Sequence, residues 1–126
     1  MIWINAANAS AAKHDAMATF RDQRERELER KIALDPEMAF NVASRRNALL
    51  GHWATARMGL SGSRADAYVK DLVEGQAANS DPEAVATRVM DDLAAHGKPI
   101  SRDELDAAIA RFTARARAEI VRSALR

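Results

Sequence analysis

Downstream of Asp35, apolar residues recur at helical spacing almost to the end of the chain. Met38, Val42, Leu49, Trp53 and Ala56 lie along one stripe, which Ala39, Ala43, Leu50 and Ala54 widen. That pattern predicts a helix to about Met58, ended by Gly59. A shorter helix is expected over roughly 64–74, offering Ala65, Tyr68, Val69, Leu72 and Val73 to a core. Val85, Val89, Met90 and Leu93 mark a third. Leu105, Ile109, Phe112, Ala116, Ile120 and Ala124 carry a fourth to the end.

Start and stop signals fall where these stripes begin and end. Asp35-Pro36-Glu37 and Asp81-Pro82-Glu83 each put an Asp cap before a Pro at the first helical position, with Glu in the first turn. Ser63 and Asp66 are spaced as a capping pair, and 75–80 reads as a polar connector. His96-Gly97-Lys98-Pro99 stops one helix, and Ser101 with Glu104 forms a capping box for the next. Ile100 and Leu105 have hydrophobic-staple spacing. Arg115, Arg117, Arg122 and Arg126 gather toward the end of the last helix, matching its dipole. The expectation for 35–126 is a four-helix bundle in an all-α chain.

The segment before it breaks the pattern. Of the thirteen residues FRDQRERELERKI at 20–32, nine are charged. Only Phe20, Leu28 and Ile32 are sizeable apolar groups. Acid-first pairs at i, i+4, Asp22–Arg26 and Glu27–Lys31, favour a helix from a Thr19 cap to about Leu34. Such pairs seldom hold thirteen residues firmly in water, so this helix is expected to be partly flexible. A helix polar on all sides is either solvated structure or a segment kept for a partner, with Phe20, Leu28 and Ile32 as anchors. Residues 1–16 read as a flexible extension, and Met17 as an alternative start.

Composition narrows the function classes. The apolar content is rich in alanine and poor in aromatics, which favours helix. With 19 basic and 18 acidic residues, the net charge of +1 gives no strong steering toward nucleic acid or anionic membrane. Arg111, Arg115, Arg122 and Arg126 could make a basic edge, but Asp106 and Glu119 interrupt it, so no nucleic-acid partner is expected. No run approaches the roughly 20 apolar residues of a membrane span, so direct membrane insertion is not expected. Cysteine is absent, which excludes disulfides, thiolate metal sites and thiol catalysis and fits a reducing cytoplasm.

Catalytic signatures are missing as well. The glycines are isolated rather than gathered in a phosphate loop, and His14, His52 and His96 are scattered. No enzyme activity, metal or cofactor is therefore expected. One ligand-binding constellation stays open: Arg45 and Arg46, with Trp53 two turns on. Their stems can simply cover core while their heads reach water. The alternative is an anion or nucleotide contact, making the chain a nucleotide- or small-ligand-sensing helical bundle without catalytic activity.

Ser44-Arg45-Arg46-Asn47-Ala48-Leu49-Leu50-Gly51-His52-Trp53, then Met58-Gly59-Leu60-Ser61-Gly62 and Ala65-Asp66-Ala67-Tyr68, follow a recognisable motif. Upstream, Arg24-Glu25-Arg26, Leu28 to Ala33 and Asp35-Pro36-Glu37 keep the same order and spacing. From Met17 to about Ala124 the chain resembles the zeta, or ATPase inhibitor, subunit of alphaproteobacterial F-type ATP synthases. It departs from that family where Leu28 and Ile32 replace aromatics, Leu34 replaces a histidine, His52 replaces an apolar residue and Ser44 replaces alanine. One residue is also added near Arg21.

The resemblance implies a regulatory inhibitor that is monomeric when free. It implies an inhibitory segment at 17–34 that enters a catalytic interface between the alpha and beta subunits, near the gamma stalk, and blocks ATP hydrolysis. Phe20, Leu28 and Ile32 would anchor that segment, while Arg24, Arg26, Arg30 and Lys31 make polar contacts. The bundle at 35–126 would stay outside. The place implied is the cytoplasm, peripheral on the membrane-bound synthase.

Overall fold

Asp35 is the one non-helical residue between the first two helices. Its extended backbone (φ −95°, ψ 114°) lets its side chain accept a 2.9 Å bond from the Glu37 amide. The computed structural model describes residues 6–75 and 81–125, with side chains from Ala16 onward. Among them are five helices and no strand: α1 (Ala6–Leu34), α2 (Pro36–Met58), α3 (Gly62–Glu74), α4 (Pro82–Ala95) and α5 (Arg102–Ala124). The chain is all-α, as its sequence pattern requires.

Capping follows the sequence signals closely. Gly59 closes α2 in the left-handed region (φ 75°), which its lack of a Cβ allows. Asp81 caps α4 by accepting from the Glu83 amide at 3.0 Å. Ser101 accepts from the Glu104 amide at 3.1 Å. The reciprocal half of that capping box is replaced, because the Glu104 carboxylate pairs with Arg57 of α2 at 2.7 Å. The start of α3 differs from expectation. α3 opens at Gly62 after an extended Ser61, so Ser63 and Asp66 lie inside the helix rather than capping it. From residue 76 on, the expected connector lies outside the described residues.

The expected cap at Thr19 is not one, because α1 is helical from Ala6 and Thr19 sits mid-helix. Of the expected extension over 1–16, residues 6–16 are helical and 1–5 lie outside the described residues. Ala6, Ala7, Ala9, Ala11 and Ala12 supply the reason, since alanine carries the highest intrinsic helix propensity. At 29 residues, α1 is about 43 Å long.

The core is organised around α2, which packs on every other helix, most extensively on α3 and α5. Leu50 and Ala54 of α2, Val89 and Leu93 of α4, and Leu105 and Ala116 of α5 are all fully buried. Because α2 is covered on several sides, its buried residues do not stop at the predicted stripe. Asn47, Gly51 and Thr55 also face inward, whereas Ala39 and Ala56 are exposed. The Thr55 hydroxyl is satisfied within the helix, donating to the His52 carbonyl at 3.0 Å.

Gly51 sets the α2–α3 distance. A Cβ there would lie 3.2 Å from Val69 Cγ2 and 3.3 Å from Val69 Cα. Gly51→Leu is therefore expected to lower stability by about 2 kcal/mol, overpacking outweighing the gain in helix propensity; urea unfolding reads this directly.

α3 and α4 are joined chiefly by polar groups. The Tyr68 hydroxyl donates to Asp92 at 2.8 Å, and Arg88 pairs with Asp71 at 2.6 Å and Asp92 at 3.5 Å. The Arg88 guanidinium also stands 5.4 Å from the Tyr68 ring centre. Burial and the bond to Asp92 push the Tyr68 hydroxyl well above its ordinary pKa. Tyr68→Phe is expected to lower stability by about 1 kcal/mol, seen as an earlier urea midpoint at unchanged slope.

Candidate partner interface

α1 changes character along its length. From Ala16 to Arg24 every side chain is exposed; Glu25 is the first that is not. Met17 and Phe20 are 66% and 65% exposed, although each is a large apolar group. They line an open cleft of about 540 Å³ with Ala16, Arg21, Arg24 and Leu125. Lower down, Leu28 is half-buried against the core and Ile32 is 3% exposed within it. The three apolar residues singled out in this helix thus divide. Phe20 is presented to solvent, Leu28 sits at the boundary, and Ile32 belongs to this chain's own core.

The charges of α1 are equally unengaged. Arg24, Arg26, Arg30 and Lys31 are exposed. Among the described residues, no charged side chain of 20–31 closes an intramolecular ion pair. The expected Asp22–Arg26 and Glu27–Lys31 pairs do not form. Several arginines elsewhere are occupied: Arg57, Arg88, Arg102 and Arg115 each hold a carboxylate of α3, α4 or α5.

Arg45, Arg46 and Trp53 are not gathered into one site. Arg45 donates to Glu119 of α5 at 2.5 Å, and Glu119 also takes Arg115 at 3.3 Å. The bond from Arg45 holds the Glu119 carboxyl below its usual pKa. Arg45 lines a cleft between α2 and α5 with Phe40, Glu119 and Ile120, a lining that includes neither Arg46 nor Trp53. Arg46 is half-buried and donates to Asn47 Oδ1 at 3.1 Å, and desolvation lowers its pKa. Asn47 Nδ2 is buried and has no partner among the described residues. Trp53 stands edge-on to Phe112, with ring centres 6.3 Å apart, and Arg57 covers it at 4.5 Å. Eight residues of helix, about 12 Å, separate Arg45 from Trp53.

Sequence reasoning also passed over Leu34 and Phe40, which are 81% and 48% exposed on either side of Asp35. Phe40 offers no signal in advance, since an aromatic in an amphipathic helix usually faces the core. Among the described residues, no helix is long and apolar enough to cross a membrane, and no group of three His, Asp or Glu side chains could hold a metal ion.

A family model described as ATPase inhibitor subunit zeta matches residues 17–119. The chain belongs to the ATPase inhibitor subunit zeta family. No curated protein and no solved structure matches it. The matched span takes in the exposed and docked parts of α1, then α2, α3, α4 and most of α5. Membership makes this chain a regulatory inhibitor subunit, with an ATP synthase as its partner. Among the described residues of the zeta-family span, Met17–Arg24 is the longest run of consecutive exposed residues.

Proposed function

We propose that the N-terminal part of α1 is the inhibitory element. It inserts into the catalytic alpha/beta interface of the ATP synthase head, near the gamma stalk, and blocks ATP hydrolysis. The observation that carries this reading is the contrast along α1. Nine consecutive residues, Ala16–Arg24, are exposed and include two large apolar side chains, while the helix base is seated in the core. An isolated stretch of this length gains little from helix propensity alone. It gains a core when a groove closes over Phe20 and Met17, and its unpaired arginines gain carboxylate partners at the same time. The helices from α2 onward remain outside as a folded body too large to follow.

Inhibition by insertion is steric, so it needs no cofactor or chemistry from this chain. The test adds purified protein to its own ATP synthase and compares hydrolysis with synthesis. Hydrolysis falls with rising protein concentration while synthesis is less affected. Hydrolysis unchanged at saturating protein would overturn the reading.

A further inference from the structure

The face of α1 that meets the bundle carries charges opposite in sign to those it meets. Glu25 and Glu29, one turn apart on α1, line a cleft of about 290 Å³ with Arg117 and Arg122 of α5. Val121 and Leu125 complete its apolar side, and Val121 is 8% exposed. Leu28, between the two glutamates on the same face, is half-buried, and Ile32 is seated one turn below. Glu25 is also the first residue after the exposed run Ala16–Arg24 that is partly covered. Residues 25, 28, 29 and 32 follow the i, i+3, i+4, i+7 spacing of a single docked face.

We propose that α1 docks on the protein's own last helix through this face, and that self-docking competes with presentation of the segment to the synthase. This rests on the function proposed above, because the docked stretch 25–32 is the base of the same helix whose exposed part, Ala16–Arg24, enters the synthase. A face already covered by α5 and by α2, on which α1 also packs, cannot be offered to a second surface. The inhibitor is then held in check by its own C-terminal helix until a partner displaces it.

The electrostatic half of this contact is soft. Among the described residues, none of the four charges closes an ion pair. They attract across an open cleft, where salt screens them over a Debye length of about 10 Å at 0.1 M. The apolar half, Leu28 and Ile32, supplies the seat. Asp35, alone between α1 and α2, supplies the place where the chain can bend.

Charge reversal in the full chain tests the proposal. In R117E/R122E the two glutamates face like charges, and both substituted arginines are exposed, so the core is untouched. Amide hydrogen exchange over 17–31 is expected to quicken, and the concentration giving half-inhibition of hydrolysis to fall roughly fivefold. Adding E25R/E29R restores slow exchange. Exchange over 17–31 that stays unchanged in R117E/R122E, or is not slowed again by the fourfold swap, overturns the docking. Faster exchange with the same half-inhibition concentration overturns the competition. Should the wild-type chain fail to inhibit at all, the proposed function falls. The exchange measurements, made without the synthase, still decide the docking.

Discussion

A chain lacking residues 1–24 loses inhibition of ATP hydrolysis, with half-inhibition displaced at least about 100-fold, while its thermal midpoint stays within about 3 °C of the full chain. Both halves of this expectation follow from where the unbroken exposed run stops on α1. The cut removes Met17 and Phe20, the two large apolar groups of the exposed run, together with Arg21 and Arg24. It spares Leu28 and Ile32, which pack in the core, and Glu25, which is half-buried beside them. The position of the cut matters. Truncation after Leu34 would also empty the Ile32 site, and Ile32 is 3% exposed in the core. Loss of activity in that longer deletion would mix a lost contact with a weakened fold. The measurement is a hydrolysis titration paired with a thermal melt of the same sample. Undiminished inhibition by the shortened chain would move the inhibitory site to residue 25 or beyond.

What the sequence discloses about this protein depends on how far apart the interacting residues lie. The starts at Asp35-Pro36, Asp81-Pro82 and Ser101 are legible because cap and capped amide are two or three residues apart. The Glu104 carboxylate is not, because its partner, Arg57, comes from another helix. Thr19 looked like a cap only because the charged run starts beside it; the alanines upstream let the helix continue to Ala6. Asn47 and Thr55 are polar residues on the buried side of α2, and no periodicity argument assigns them there. They are inside because the other helices wrap α2 on several sides.

The candidate site shows the same boundary. Nine charges around three apolar residues mark 20–32 as unusual, but spacing cannot say which apolar side chain is kept at home. Packing decides that Ile32 is in the core and Phe20 outside. Arg45, Arg46 and Trp53 look like a constellation in one dimension. Glu119, 74 residues from Arg45, claims one member, and Phe112 packs against another. The zeta-family motif at 44–62 was the strongest signal available. The family match over 17–119 now supports what that motif implied about the chain's class.

Leu50→Ala should produce the opposite separation, lowering stability by about 3 kcal/mol and leaving inhibition per folded molecule unchanged. Leu50 is fully buried on the helix that contacts all the others. A cavity there cannot be closed by moving a single neighbour. Gly51 already holds α3 at close range through Val69 and Leu72, and Ala54, one turn on, is fully buried. The site therefore relaxes little, and the cost falls well above that of a lost methylene transfer alone. For a chain of 126 residues this corresponds to a thermal midpoint lower by roughly 12 °C. Leu50 has no part in the exposed run Ala16–Arg24, so at a temperature where the variant is still folded its inhibition curve overlays that of the wild type. Urea unfolding gives the first quantity and hydrolysis titration the second. A loss below about 1 kcal/mol would show that α2 is not the centre of the fold. Weaker inhibition by fully folded Leu50→Ala protein would show that the segment and the bundle act as one unit.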